Sequence, residues 1–231
     1  MRAVVLALIA GCGRVAFDDR TFDANPDSNG RTAPALVAND DAFLAGGSSI
    51  TSSLSNVVAG HLIVLAIGYD HTADVKLALV TGSSGDQFTV LGPADGSPNR
   101  QYLAYAIAAN SGPDTFTATL DADADTYLEL RSHEYANVDA VDPLDQYIAA
   151  SGTVPIQPSV TLTTTAPNEL LFAFVVTVGG VTTAGAGFTA VTTAADDITE
   201  DRVAAEPGSY QVTAMSDMGD WTLSAAAIRG D

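Results

Sequence analysis

The stretch His61-Leu62-Ile63-Val64-Leu65-Ala66-Ile67-Gly68-Tyr69 is an unbroken apolar run, and Glu169-Leu170-Leu171-Phe172-Ala173-Phe174-Val175-Val176 repeats its pattern in the second half of the chain. Short apolar runs bounded by turn residues read as strands buried on both faces. Outward from these two, strand-like runs recur at 75–80, 87–91, 102–109, 115–120, 127–135, 159–164, 188–192, 210–215 and 221–228. Gly, Asp, Pro and Asn separate them, as turns between short strands require. No amphipathic helix interrupts the series, so the chain is expected to be all-β, a sandwich or barrel rather than any α/β plan.

The two halves also rhyme. Each apolar strand is followed by a Gly-containing turn and a Phe-Thr pair, Phe88-Thr89 or Phe188-Thr189. Each later reaches a glycine, Gly112 or Gly208, before an alternating run, and Tyr127 or Trp221 opens the strand after it. The rhyme predicts two similar β-units packed as one body, joined by a long link over 137–158 in which 148–158 is a connector rather than a site. This rhythm resembles the β-sandwich domains of bacterial cell-surface and secreted proteins, of the jelly-roll or lectin-like kind. The resemblance covers about 48–229 and implies a fold that often binds carbohydrate, without a diagnostic catalytic motif.

The amino terminus, Met1-Arg2-Ala3-Val4-Val5-Leu6-Ala7-Leu8-Ile9-Ala10-Gly11-Cys12, joins a basic start to a short apolar run and the only cysteine. It resembles the lipobox of bacterial lipoproteins. The resemblance implies a signal peptide over 1–11 and diacylglyceryl transfer, with acylation such as palmitate, at Cys12. Gly13 rather than aspartate follows, which implies outer-membrane retention in a cell with two membranes. The segment 12–45, with Asp18-Asp19, Asp23 and Pro26-Asp27-Ser28-Asn29-Gly30, reads as a flexible acidic tether, and 46–231 as the sandwich domain. No run reaches the roughly 20 apolar residues that span a bilayer, so the membrane is met through the lipid alone.

The net charge is −19, with 28 acidic residues against nine Lys and Arg. Such a field repels nucleic acid and anionic headgroups. It keeps an exported protein soluble and also suits a cation or a basic partner.

Asp121-Ala122-Asp123-Ala124-Asp125 places three carboxylates at alternate positions, a calcium-like spacing in an extended segment and equally an acidic turn. Asp139, Asp142 and Asp145 form a second acidic group. In 127–135, period-two alternation puts Tyr127, Glu129, Arg131, His133 and Tyr135 on one face. Two aromatics beside a carboxylate and a guanidinium fit a sugar, and they also fit an ordinary exterior with paired charges. Glu134 lies on the opposite, apolar face, where a buried structural carboxylate is as reasonable as a catalyst. His61, His71 and His133 lack zinc spacing, no serine-hydrolase elbow is present, and 82–86 reads as a turn. Trp221, Leu223, Ala225 and Ala227 share parity and read as core, as does Phe116. No motif implies a cofactor.

The reading is a lipid-anchored, noncatalytic envelope protein that binds a glycan or protein, or serves structurally. The alternative is an exported carbohydrate-processing enzyme with paired carboxylates in a cleft.

Overall fold

The computed structural model describes residues 30–153, 157–178, 181–216 and 219–231. Its first half contains β1 (Ala35–Leu44), β2 (Gly47–Val57), β3 (Leu62–Asp70), β4 (Leu77–Gly82), β5 (Thr89–Asp95), β6 (Asn99–Ile107), β7 (Gly112–Ala124) and β8 (Leu128–Ala136). The second contains β9 (Leu144–Thr153), β10 (Ser159–Thr164), β11 (Glu169–Thr177), β12 (Val181–Ala184), β13 (Thr189–Thr192), β14 (Ile198–Ala204), β15 (Gly208–Ser216) and β16 (Asp220–Ile228).

Pairing is antiparallel throughout. The first half forms a sheet ordered β1-β8-β3-β6-β5 opposite a sheet ordered β2-β7-β4. Adding eight to every number gives β9-β16-β11-β14-β13 and β10-β15-β12, the observed order in the second half. The expected pair of similar units is therefore present strand for strand. In each, strands one, eight, three and six lie opposite two, seven and four, a jelly-roll-like order in which the fifth strand pairs with the sixth.

The two units stack as four layers with three separate apolar fillings. Ile63, Leu65, Ile67 and Phe116 fill the first sandwich, and Leu171, Val175, Trp221 and Leu223 fill the second. Leu62, Val64 and Ala66 of β3 meet Leu170, Phe172, Phe174 and Val176 of β11 in a third core, the seam between the two five-stranded sheets. This explains the unbroken apolar runs: both faces of β3 and β11 are covered, so nothing selects for alternation. Gly68 allows the close approach, since a Cβ there would lie 2.7 Å from Glu129 Oε1 and 3.1 Å from Phe174.

Two boundaries differ from the sequence reading. The fold starts before residue 46: β1 lies within the stretch assigned to the tether and forms the edge of a five-stranded sheet by pairing with β8. Its central Asn39-Asp40-Asp41 made it look unstructured, yet Asp40 accepts the Ser53 amide at 2.9 Å and the Ser52 hydroxyl at 2.8 Å. The 148–158 segment is not simply a connector either, because β9 runs through Thr153 as the partner of β16. The link between units is the shorter 137–143, pinned by Arg229 on Asp142 at 2.8 Å and on the Asp145 carboxylate. At the same end Thr32 donates its amide to the Asp231 carbonyl, and Arg31 Nη1 donates to the Gly230 carbonyl at 2.6 Å.

Candidate binding site

β8 carries the row singled out by alternation, and the residues do share one face. That face is the seam. Glu129 and Arg131 are 1 % exposed and His133 and Tyr135 are fully buried, so the row is not a solvent-facing sugar platform. Parity alone cannot distinguish an outer face from one covered by a second sheet, and the covering sheet comes from the other half of the chain.

Arg131, His133 and Tyr135 reach across to that half. Arg131 donates to Glu129 Oε2 from Nε at 2.9 Å and Nη2 at 2.7 Å. Its Nη1 donates to Thr192 Oγ1 at 2.7 Å and to the Asp197 carbonyl at 3.0 Å, and the guanidinium lies 5.5 Å above the Phe174 ring. His133 Nε2 lies 3.0 Å from Thr199 Oγ1 and packs edge-on against Phe172. Burial lowers the His133 imidazole to about 3, with Arg131 adding repulsion, so it is neutral. The Tyr135 hydroxyl donates to Asp201 Oδ2 at 2.9 Å, and burial holds the Asp201 carboxyl above its usual range despite that bond.

Tyr127 is the one member of the row that is partly exposed, at the edge of the seam. Asp70, at the end of β3, accepts the amides of Thr126 at 2.8 Å and Tyr127 at 2.9 Å and so fixes where that ring emerges. Burial pushes the Asp70 carboxyl upward, but the bonds from Thr126 and Tyr127 outweigh it and leave it lowered. The Tyr127 ring lies parallel to Phe43 of β1, with interplanar angle 2° and centroids 6.4 Å apart, and Phe43 is 52 % exposed.

These two rings, with Thr177, Ala195, Asp196 and Asp197, line an open cavity of about 540 Å³. Its far wall is the 194–196 turn, where Ala195 (φ 52°) and Asp196 (φ 66°) both occupy the left-handed region. Non-glycine residues hold that conformation only where surrounding contacts impose it. Here Asp197 imposes it: its carbonyl takes Arg131 and its Oδ1 accepts the Thr177 amide at 2.8 Å. A second opening of about 480 Å³, with Leu36, Ala190 and Val203 among its lining, lies further along the β1 and β13 edge. At the opposite edge β5 packs on β9 and β16. Nothing in the sequence marks Phe43 or Asp197 as site residues, because strand pairing brings Phe43 to Tyr127 and only the stacking of the two halves brings Asp197 to Arg131.

The other expected residues lie elsewhere. Asp121 accepts the Lys76 amide at 2.8 Å, and Asp121, Asp123 and Asp125 are exposed around the end of β7. Among the described residues no group of three His, Cys, Asp or Glu converges as metal ligands, this triad included. Asp139 accepts the amides of Val141 at 3.0 Å and Asp142 at 3.1 Å, while Asp142 and Asp145 hold Arg229. Glu134 is fully buried, taking the Val58 amide at 2.9 Å and lying 2.7 Å from His61 Nδ1. Trp221 and Phe116 are core residues, as their parity indicates. Cys12, the signal peptide and 12–29 of the tether lie outside the described residues. Among the described residues no helix is long and apolar enough to cross a membrane. Neither the protein-family models nor the curated proteins searched give a match to this chain.

Proposed function

We propose that this chain is an exported, lipid-anchored and noncatalytic envelope module that binds a glycan in the cavity at the open edge of the seam. The observation that carries the reading is the parallel Phe43–Tyr127 pair lining one cavity with Asp196 and Asp197. A half-exposed aromatic face packs against the C–H face of a sugar ring, and the exposed Asp196 carboxyl beside it accepts sugar hydroxyls. Among the described residues no cationic side chain lines this cavity, and the exposed Asp196 carboxyl disfavours an anionic polymer, so the fitting ligand class is a neutral oligosaccharide.

The carboxyl geometry favours binding over hydrolysis. Glycosidases hold two carboxyl groups at least about 5 Å apart, on either side of the scissile bond. Here the Asp197 side chain is in hydrogen-bond contact with Glu129, which Arg131 clamps through Oε2. The lipid anchor is proposed from the lipobox-like start, and it places the cavity outside the cell on a membrane surface. Acylation is expected to vanish in Cys12→Ala, read as loss of fatty-acid label and of membrane-fraction protein.

Binding is tested by calorimetry of the purified chain against neutral, acidic and amine-bearing oligosaccharides. Phe43→Ala is expected to weaken a neutral ligand by roughly tenfold or more, the scale of one lost aromatic contact. Equal affinity of wild type and Phe43→Ala would remove the cavity from consideration.

A further inference from the structure

We propose that Asp197 and Glu129 share one proton across the seam, and that this proton holds the cavity wall in its ligand-binding shape. The geometry leaves Glu129 half satisfied. Both Arg131 contacts fall on Oε2, whereas Oε1 is buried with no N–H or hydroxyl donor. The side chain in contact with Glu129 from the other half is Asp197, itself 4 % exposed. Two carboxylates in contact inside a protein do not both ionise. A proton on Asp197 supplies the donor that Oε1 lacks.

The surroundings fit one proton at this place. From β8 come Glu129, Arg131 and the neutral His133, and from the segment before it Tyr127. β1 contributes Asp41, whose carboxyl is itself raised by burial, partly offset by Arg131. The end of β3 contributes Asp70, and the turn contributes Asp196. Arg131 is thus outnumbered by carboxyl groups, which opposes full ionisation. Burial, then the charge of Glu129, accordingly drive Asp197 well above the carboxylate range.

Asp197 is also the clasp of the 194–196 turn, through its carbonyl on Arg131 and its Oδ1 on Thr177. Loss of the proton sets two anions against each other, drives Asp197 from the seam and carries Ala195 and Asp196 with it. The site is therefore formed while Asp197 holds its proton and loosens as pH rises past that ionisation. This regulation rests on the glycan reading of the cavity, whereas the proton pair itself does not.

The test is carboxyl-carbon and amide NMR of the labelled chain from about pH 5 to about pH 9. Asp197 is expected to stay in its acid form above the ordinary carboxylate range, with the Ala195 and Asp196 amides shifting in step as it ionises. In Asp197→Asn, whose side-chain amide donates to Glu129 Oε1, that step disappears. Ionisation of Asp197 in the ordinary carboxylate range, or persistence of the step in Asp197→Asn, overturns the proposal. Because the titration is read on the wild type, it stands even if the variant does not fold. Any oligosaccharide that binds is expected to lose at least about tenfold in affinity across the step. Binding unchanged across the step overturns the gating. A step with no oligosaccharide bound supports the shared proton and removes the glycan reading alone.

Discussion

Glu200 carries its carboxyl into the second sandwich, with Oε2 on the Gly185 amide at 2.7 Å and Oε1 buried without a donor. Burial raises it from 4.5 to about 7, helped by the nearby charge of Asp201 and opposed by the Gly185 bond. The folded chain therefore holds a proton that the unfolded chain has already released. Its stabilisation is complete below about 4.5 and fades as pH rises through about 7. At 1.36 kcal/mol for each unit, roughly 3 kcal/mol is the upper scale of the effect. Glu200→Gln is expected to flatten thermal stability against pH across this window; an unchanged slope would count against the assignment. His133 works in the opposite direction. Lowered from 6.5 to about 3, it remains neutral in the fold, and stability falls as pH drops below 6.5 and the unfolded imidazole takes up protons. One buried group is thus a penalty of alkali and the other a penalty of acid.

At the level of single strands, β9 shows how closely an edge is fitted to its neighbour. Gly152 lies opposite Trp221 of β16, and a Cβ at Gly152 would come within 2.5 Å of the indole. Gly152→Ala is expected to destabilise the chain by about 1–3 kcal/mol, the usual scale of overpacking, with a shift in emission from the single tryptophan. Unaltered stability and emission would mean that the indole moves aside freely. Strands buried on two faces were the most legible in the sequence, since nothing but a strand explains a run such as 62–67 between turns. The five strands that were missed are polar or sit at an edge. In β2, Ser52 takes an inward position between Ile50 and Leu54, while β14 runs Ile198-Thr199-Glu200-Asp201-Arg202-Val203-Ala204. Hydroxyl and carboxyl groups face inward in these strands because partners await them, as Ser132 does for Ser52 at 2.7 Å. Hydrophobic periodicity registers such positions as solvent. The site escaped for a related reason: the alternation of 127–135 gave the right face, but only the packing of two halves reveals what covers it.

The whole molecule is bound together by the third core and the polar row beside it. A half expressed alone would present Leu62, Val64, Leu103 and Tyr135, or Leu170, Phe172 and Phe174, to water. Exposed apolar patches of that kind drive association. Residues 30–136 produced alone are expected to aggregate, and the intact chain to unfold in one calorimetric transition; a soluble monomeric half or two separate transitions would contradict this. The contacts of Arg31 and Thr32 with Gly230 and Asp231 have a mechanical corollary. Tension arriving through the chain upstream of Gly30 loads those contacts first and then β1, which is held by its ladder with β8 and by Asp40 on Ser52 and Ser53 of β2. Antiparallel pairing pulled from one end yields rung by rung, from Ala35 opposite Ala136 toward Phe43 opposite Glu129. Phe43 is among the last residues released, so a modest pull would leave the aromatic platform in place and a stronger one would strip it away, turning the grip on a bound chain into one with a rupture force.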